Sequence, residues 1–163
     1  MRSKPTPVRS GAQTEGLGAR VVELLASALS DRLVAVVLFG SRARGEAGET
    51  SDWDVLVIAE GLPARVLDRN LYLKQLLPPA WRGGVAILAK TPEQLRGAVA
   101  SVYLDIALDG AILYDPRGFA AERLGALRRQ IAELGLRRER TPEGFDWRWA
   151  KAPSSGWALS WSA

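Results

Sequence analysis

Seven consecutive apolar residues, Leu33–Phe39, stop abruptly at Gly40. A run this short cannot cross a membrane, and its β-branched content predicts a strand covered on both faces. A second run of the same kind follows at residues 54–59, where Asp54 leads into Val55, Leu56, Val57, Ile58 and Ala59. Between the two, residues 41–51 hold Arg42, Arg44, Gly45 and Gly48 and hardly an apolar side chain, which predicts a loop or a short helical turn. The chain is thus tied to two buried strands with a polar turn between them.

The flanking sequence supplies helices. Val21, Val22, Leu24, Leu25, Ala28 and Leu29 recur at helical spacing and predict an amphipathic helix from Leu17 to about Asp31. A further helix is expected over residues 62–77, ended by Pro78 and Pro79, then a third strand over residues 84–89. Thr91, Pro92 and Glu93 offer an N-cap, a first-turn proline and an early acid, so a helix is expected to start there, with helical character again over residues 98–108. Asp109 and Gly110 signal a turn before a short edge strand, Ala111–Tyr114, and residues 119–136 predict a last amphipathic helix. Three regions result: a flexible basic arm over residues 1–15, a folded domain over 16–136, and a basic, tryptophan-rich tail over 137–163 with little periodicity.

Composition narrows the chemistry. The 163 residues include no cysteine and no histidine, which removes disulfides, thiolate and imidazole metal sites, and histidine-based proton shuttles. Any metal must be held by oxygen, which favours Mg²⁺ or Mn²⁺. No segment suits a membrane span or a signal peptide, so a cytoplasmic protein is expected. The net charge of +4, carried mostly by arginine, is first read as an ordinary solvated surface, although a polyanionic partner is permitted.

The residues that carry chemistry lie between the two buried strands. Gly40 lets the backbone approach a phosphate, and Ser41 offers a hydroxyl and an amide at what is read as a helix start, where the dipole favours an anion. After ten intervening residues, Asp52 and Asp54 stand two positions apart on what is read as an extended strand, so both are expected to face one side while Trp53 faces the other. Two carboxylates crowded on one face repel unless neutralised, and a divalent cation is the usual remedy. Such an arrangement suits phosphoryl or nucleotidyl transfer, with Arg42 or Arg44 available to clamp phosphate oxygens. Taken alone, the two aspartates would be read as a turn and strand-start pair; combined with Gly40 and Ser41 at this spacing, they are read as a site. No G-x-x-x-x-G-K-[ST] loop and no G-x-G-x-x-G is present, which excludes the common kinase and dehydrogenase phosphate loops.

The string GSRARGEAGETSDWDVLV, from Gly40 to Val57, resembles the Gly-Ser, ten-residue gap and Asp-x-Asp signature of the minimal nucleotidyltransferases of the DNA polymerase β-like superfamily. The resemblance implies an α/β (α+β) fold, a small mixed β-sheet flanked by helices. It implies transfer of a nucleoside monophosphate, AMP from ATP, to a hydroxyl of a macromolecule, with Asp52 and Asp54 catalytic and holding Mg²⁺ or Mn²⁺. Gly40, Ser41, Arg42 and Arg44 would then bind the triphosphate. Many members of the family are encoded beside small helical proteins, some as antitoxins that adenylylate a toxin, which implies a separate helical partner.

Such enzymes commonly carry a third carboxylate on a later strand, and residues 85–89 contain none. Either Asp105 or Asp109 substitutes, or the chain is a degenerate nucleotide-binding or protein-interaction module. The tail tryptophans, beside Arg148 and Lys151, are expected to pack on their own domain or on a second copy rather than stack on nucleic-acid bases.

Overall fold

The computed structural model describes residues 12–151 and 157–161. Its main sheet has four strands in the order β3-β2-β1-β4: β1 is Leu33–Phe39, β2 Trp53–Ala59, β3 Val85–Lys90 and β4 Ala111–Tyr114. β1 runs antiparallel to both β2 and β4, while β2 and β3 are parallel. A parallel pair needs a crossover, and the helix α3, Val66–Gln75, supplies it. The sheet is therefore mixed, as expected.

Helices cover both faces. On one side α1, Ala12–Leu29, lays Val21, Leu25 and Leu29 against Val36, Leu38, Val55 and Val57, and α3 adds Leu73. On the other side α4, Ser101–Asp109, and α5, Phe119–Glu133, bury Leu104, Ile106, Leu124 and Leu127 against Val37, Leu56 and Ile58. The two central strands are thus apolar on both faces because each face has its own helical layer. Between β1 and β2 the chain makes a single helical turn, α2, Gly40–Ala43.

Several expected boundaries move, each for a local reason. α1 begins at Ala12, so residues 12–15 are helical rather than part of a flexible arm; residues 1–11 lie outside the described residues. α3 starts at Val66 rather than residue 62, because Arg65 is extended and the carbonyls of Pro63 and Ala64 accept hydrogen bonds from the Arg69 guanidinium. The helix expected from Thr91 is one turn, Gln94–Arg96: the Thr91 hydroxyl caps the Gln94 amide at 3.3 Å, but Gly97 is extended and stops it. α5 ends at Glu133, where Gly135 takes a left-handed φ of 63°.

The tail is the largest correction. It forms a hairpin of β5, Leu136–Thr141, and β6, Gly144–Trp149, closed by residues 142 and 143. Phe145, Trp147 and Trp149 alternate with Asp146 and Arg148, so one face of the hairpin turns inward. Beyond it Trp161 is buried, its ring edge-on to Tyr103 at 4.7 Å, and Trp149 meets Trp157 at 4.4 Å. Trp147 and Trp161 pack on their own domain, while Trp157 stays about half exposed.

Candidate nucleotide site

The site gathers where β1 ends and β2 begins. Phe39 pairs with Asp54 across the two strands, so the Gly40 turn sits directly above Asp54. Gly40 has φ +73°, and a Cβ there would lie 2.2 Å from Asp54 Oδ2. Only glycine permits both the left-handed turn and this close approach. Because β2 alternates, Trp53 faces the α1 layer while Asp54 lies on the side of Leu56 and Ile58, and Asp52, one residue before the strand, is near enough for its charge to act on Asp54.

Neither aspartate carboxylate accepts a hydrogen bond or an ion pair from another described residue. Burial pushes the Asp54 carboxyl above the ordinary aspartate value of 3.8, the negative charge of Asp52 adds to the rise, and Arg44 pulls the other way. Two neighbouring acids, neither ion-paired among the described residues, form an oxygen donor pair suited to a hard divalent cation, whose remaining ligands would be phosphate oxygens and water. The residues present therefore fit such an ion. Ser41 and the first amides of α2, which have no helical acceptors, stand at the same turn.

The two arginines differ. Arg42 turns back on its own loop: its Nε donates to the Ser51 carbonyl at 3.1 Å, and its guanidinium lies 4.7 Å from the Trp53 ring centre. It braces the segment leading into Asp52. Arg44 lies on the other side, with Nε donating to Glu46 at 2.9 Å and Nη1 3.5 Å from Asp109.

Neither alternative acid joins the pair. On β3 the residue opposite Asp54 is Ala86, and Asp105 and Asp109 are both engaged by Arg138. Among the described residues no three acids stand together as a metal-sized group. Glu46, Arg138, Arg140 and Phe145, which surround Arg44, were not assigned to the site from the sequence; the hairpin residues have only the alternation of β6 as a signal, and Glu46, in the loop after α2, has none.

Known proteins resemble the chain over this same region. The family model for a nucleotidyltransferase domain matches residues 21–79. A protein of Methanocaldococcus jannaschii named as a protein adenylyltransferase is 51% identical over 47 residues, which are 29% of this chain and 32% of that one. The chain thus spans about a third of the length of that relative. Among solved structures, a toxin–antitoxin complex with AMP-PNP aligns at TM-score 0.49 and 22% identity, covering 71% of this chain and 90% of that one. A nucleotidyltransferase structure from Sulfolobus solfataricus aligns at 0.47 and 24% identity, covering 66% and 91%. No helix among the described residues is long and apolar enough to cross a membrane.

Proposed function

We propose that this chain is a metal-dependent nucleotidyltransferase that moves AMP from ATP to a hydroxyl of a macromolecular acceptor. The observation that carries the reading is the seating of the Asp54 carboxylate against Gly40, with Asp52 nearby and neither acid ion-paired among the described residues. Asp52 and Asp54 would hold Mg²⁺ or Mn²⁺. When bound, such a cation offsets the carboxylate charge and stabilises the leaving pyrophosphate. Ser41 and the α2 amides would hold phosphate oxygens, Arg44 would supply a cation to the triphosphate, and Arg42 would keep the Asp52 segment in place. The acceptor oxygen bonds to the α-phosphorus as the bond to pyrophosphate breaks, and the hydroxyl proton leaves to water or a site carboxylate.

The relative named as a protein adenylyltransferase supports AMP as the group and a protein as the acceptor. That acceptor would be a separate small helical polypeptide, met in the cytoplasm where ATP is abundant, with this chain in an antitoxin-like role. A second reading, a nucleotide-binding or protein-interaction module without turnover, is favoured by Ala86 opposite Asp54 and by the capture of Asp105 and Asp109. ATP labelled at the α-phosphate separates the two. Label transfer to protein in a lysate, with pyrophosphate release abolished by Asp52→Asn or Asp54→Asn, supports the enzyme; ATP binding without release supports the module.

A further inference from the structure

This inference rests on the reading of Gly40, Ser41, Asp52 and Asp54 as a nucleotide site. Arg44, at the same turn, belongs to a ring of side chains built largely by the C-terminal hairpin. Its Nε donates to Glu46, its Nη1 lies 3.5 Å from Asp109, and its guanidinium faces the Phe145 ring at 4.9 Å. Each of these two acids has a hairpin arginine as its other partner. Arg140 pairs with Glu46, and Arg138 grips both oxygens of Asp109 with its two Nη groups while reaching Asp105 at 3.3 Å. Arg138 and Arg140 also face Phe145, at 4.2 and 4.9 Å.

Distance ranks these contacts. A bidentate fork is the strong form of the arginine–carboxylate pair, and Asp109 gives it to Arg138, leaving Arg44 at the longer separation. The ring is also balanced in charge: Arg44, Arg138 and Arg140 face Glu46, Asp105 and Asp109. Remove Arg138 and Asp109, whose side chain is only 13% exposed, has Arg44 as its single cationic partner among the described residues. A largely buried carboxylate left in that state draws in the nearest cation.

We propose that Arg138 is a positioning residue of the nucleotide site: by holding Asp109 in a bidentate fork, it limits that acid's pull on Arg44, which keeps its Glu46 contact and turns its remaining guanidinium N–H groups to the triphosphate. Arg138 touches no phosphate itself. It acts by occupying the carboxylate that would otherwise compete with phosphate for Arg44.

The test is calorimetric titration of ATP with Mg²⁺ into the full chain as wild type, Arg138→Ala, Asp109→Asn and the double variant, each checked for a single thermal transition. Arg138→Ala is expected to bind about tenfold more weakly, the scale of one weakened charge-assisted contact. The double variant should return to within about threefold of wild type, because the competing carboxylate is gone. A merely structural hairpin contact gives no such rescue. Arg138→Lys, which keeps the charge but loses the fork, should fall between wild type and alanine, and it carries the same test if the alanine variant does not fold. Wild-type affinity in Arg138→Ala, or a double variant as weak as the single one, overturns this inference and leaves the nucleotide site standing. Folded wild-type protein that binds no nucleotide overturns both.

Discussion

Gly40→Ala probes the seating of Asp54 directly. The substitution carries two costs that can be separated. Gly40 sits at φ +73°, and a left-handed backbone costs an alanine about 1–2 kcal/mol. The new Cβ would also lie 2.2 Å from Asp54 Oδ2 and 3.0 Å from its Cγ, so the carboxylate must rotate away at a further cost of about 1 kcal/mol. The sum, about 2–3 kcal/mol, corresponds to a fall in Tm of about 4–12 °C for a chain of this size. The displaced carboxylate no longer faces Asp52, so binding of ATP with Mg²⁺ should fall as far as in Asp54→Ala. Placed in an Asp54→Ala background, Gly40→Ala should cost little beyond the backbone part, since Oδ2 and Cγ are gone and only the Cβ contact at 3.2 Å remains. Thermal melts of the four proteins and a nucleotide titration test this. Equal costs in the two backgrounds to within about 0.5 kcal/mol, or retained nucleotide binding, would refute the proposed contact.

Three further outcomes are expected. Because burial and the charge of Asp52 raise the Asp54 carboxyl, its ionised form is disfavoured in the fold, and its contribution to stability declines as pH rises above 3.8. Asp54→Asn without metal should therefore melt higher than wild type at neutral pH and match it below pH 3.8, whereas with ATP and Mg²⁺ the order should reverse; a pH-independent difference would contradict this. Arg69 is buried without an acid partner among the described residues, and its guanidinium satisfies the carbonyls of Pro63, Ala64 and Ala89 and the Gln94 side chain. Arg69→Ala should cost about 3–5 kcal/mol in denaturant unfolding, and a cost under about 1 kcal/mol would show that those acceptors find water. Leu127→Ala empties a fully buried position between α5 and the sheet and should cost about 2–5 kcal/mol while leaving the α1 face of the sheet intact by hydrogen exchange.

The elements that frame the site were legible because short-range pattern and long-range packing agree there. Two apolar runs ending at Gly40 and starting at Asp54 match β1 and β2, and the two-residue period puts Asp54 on the face opposite Trp53, while Asp52 stands one residue before the strand. The roles of Arg42 and Arg44 were not legible, since only tertiary contacts turn Arg42 to Ser51 and Trp53 and Arg44 to Glu46 and Asp109. The hairpin was missed although Phe145, Trp147 and Trp149 carry the alternation on β6, because β5 is polar at every position after Leu136 and so shows no contrast between polar and apolar residues. Asp105 and Asp109 were plausible third acids until the fold brought Arg138 to them, a contact spanning 33 and 29 residues that no local pattern encodes.

The most direct test of the account is calorimetric titration of ATP with Mg²⁺ into wild-type protein and into a variant carrying Asp52→Ala and Asp54→Ala. The account predicts saturable binding by wild type that disappears in the double variant while its melting transition persists. Nucleotide affinity undiminished in that variant, or a folded wild-type protein that takes up no nucleotide, would contradict it.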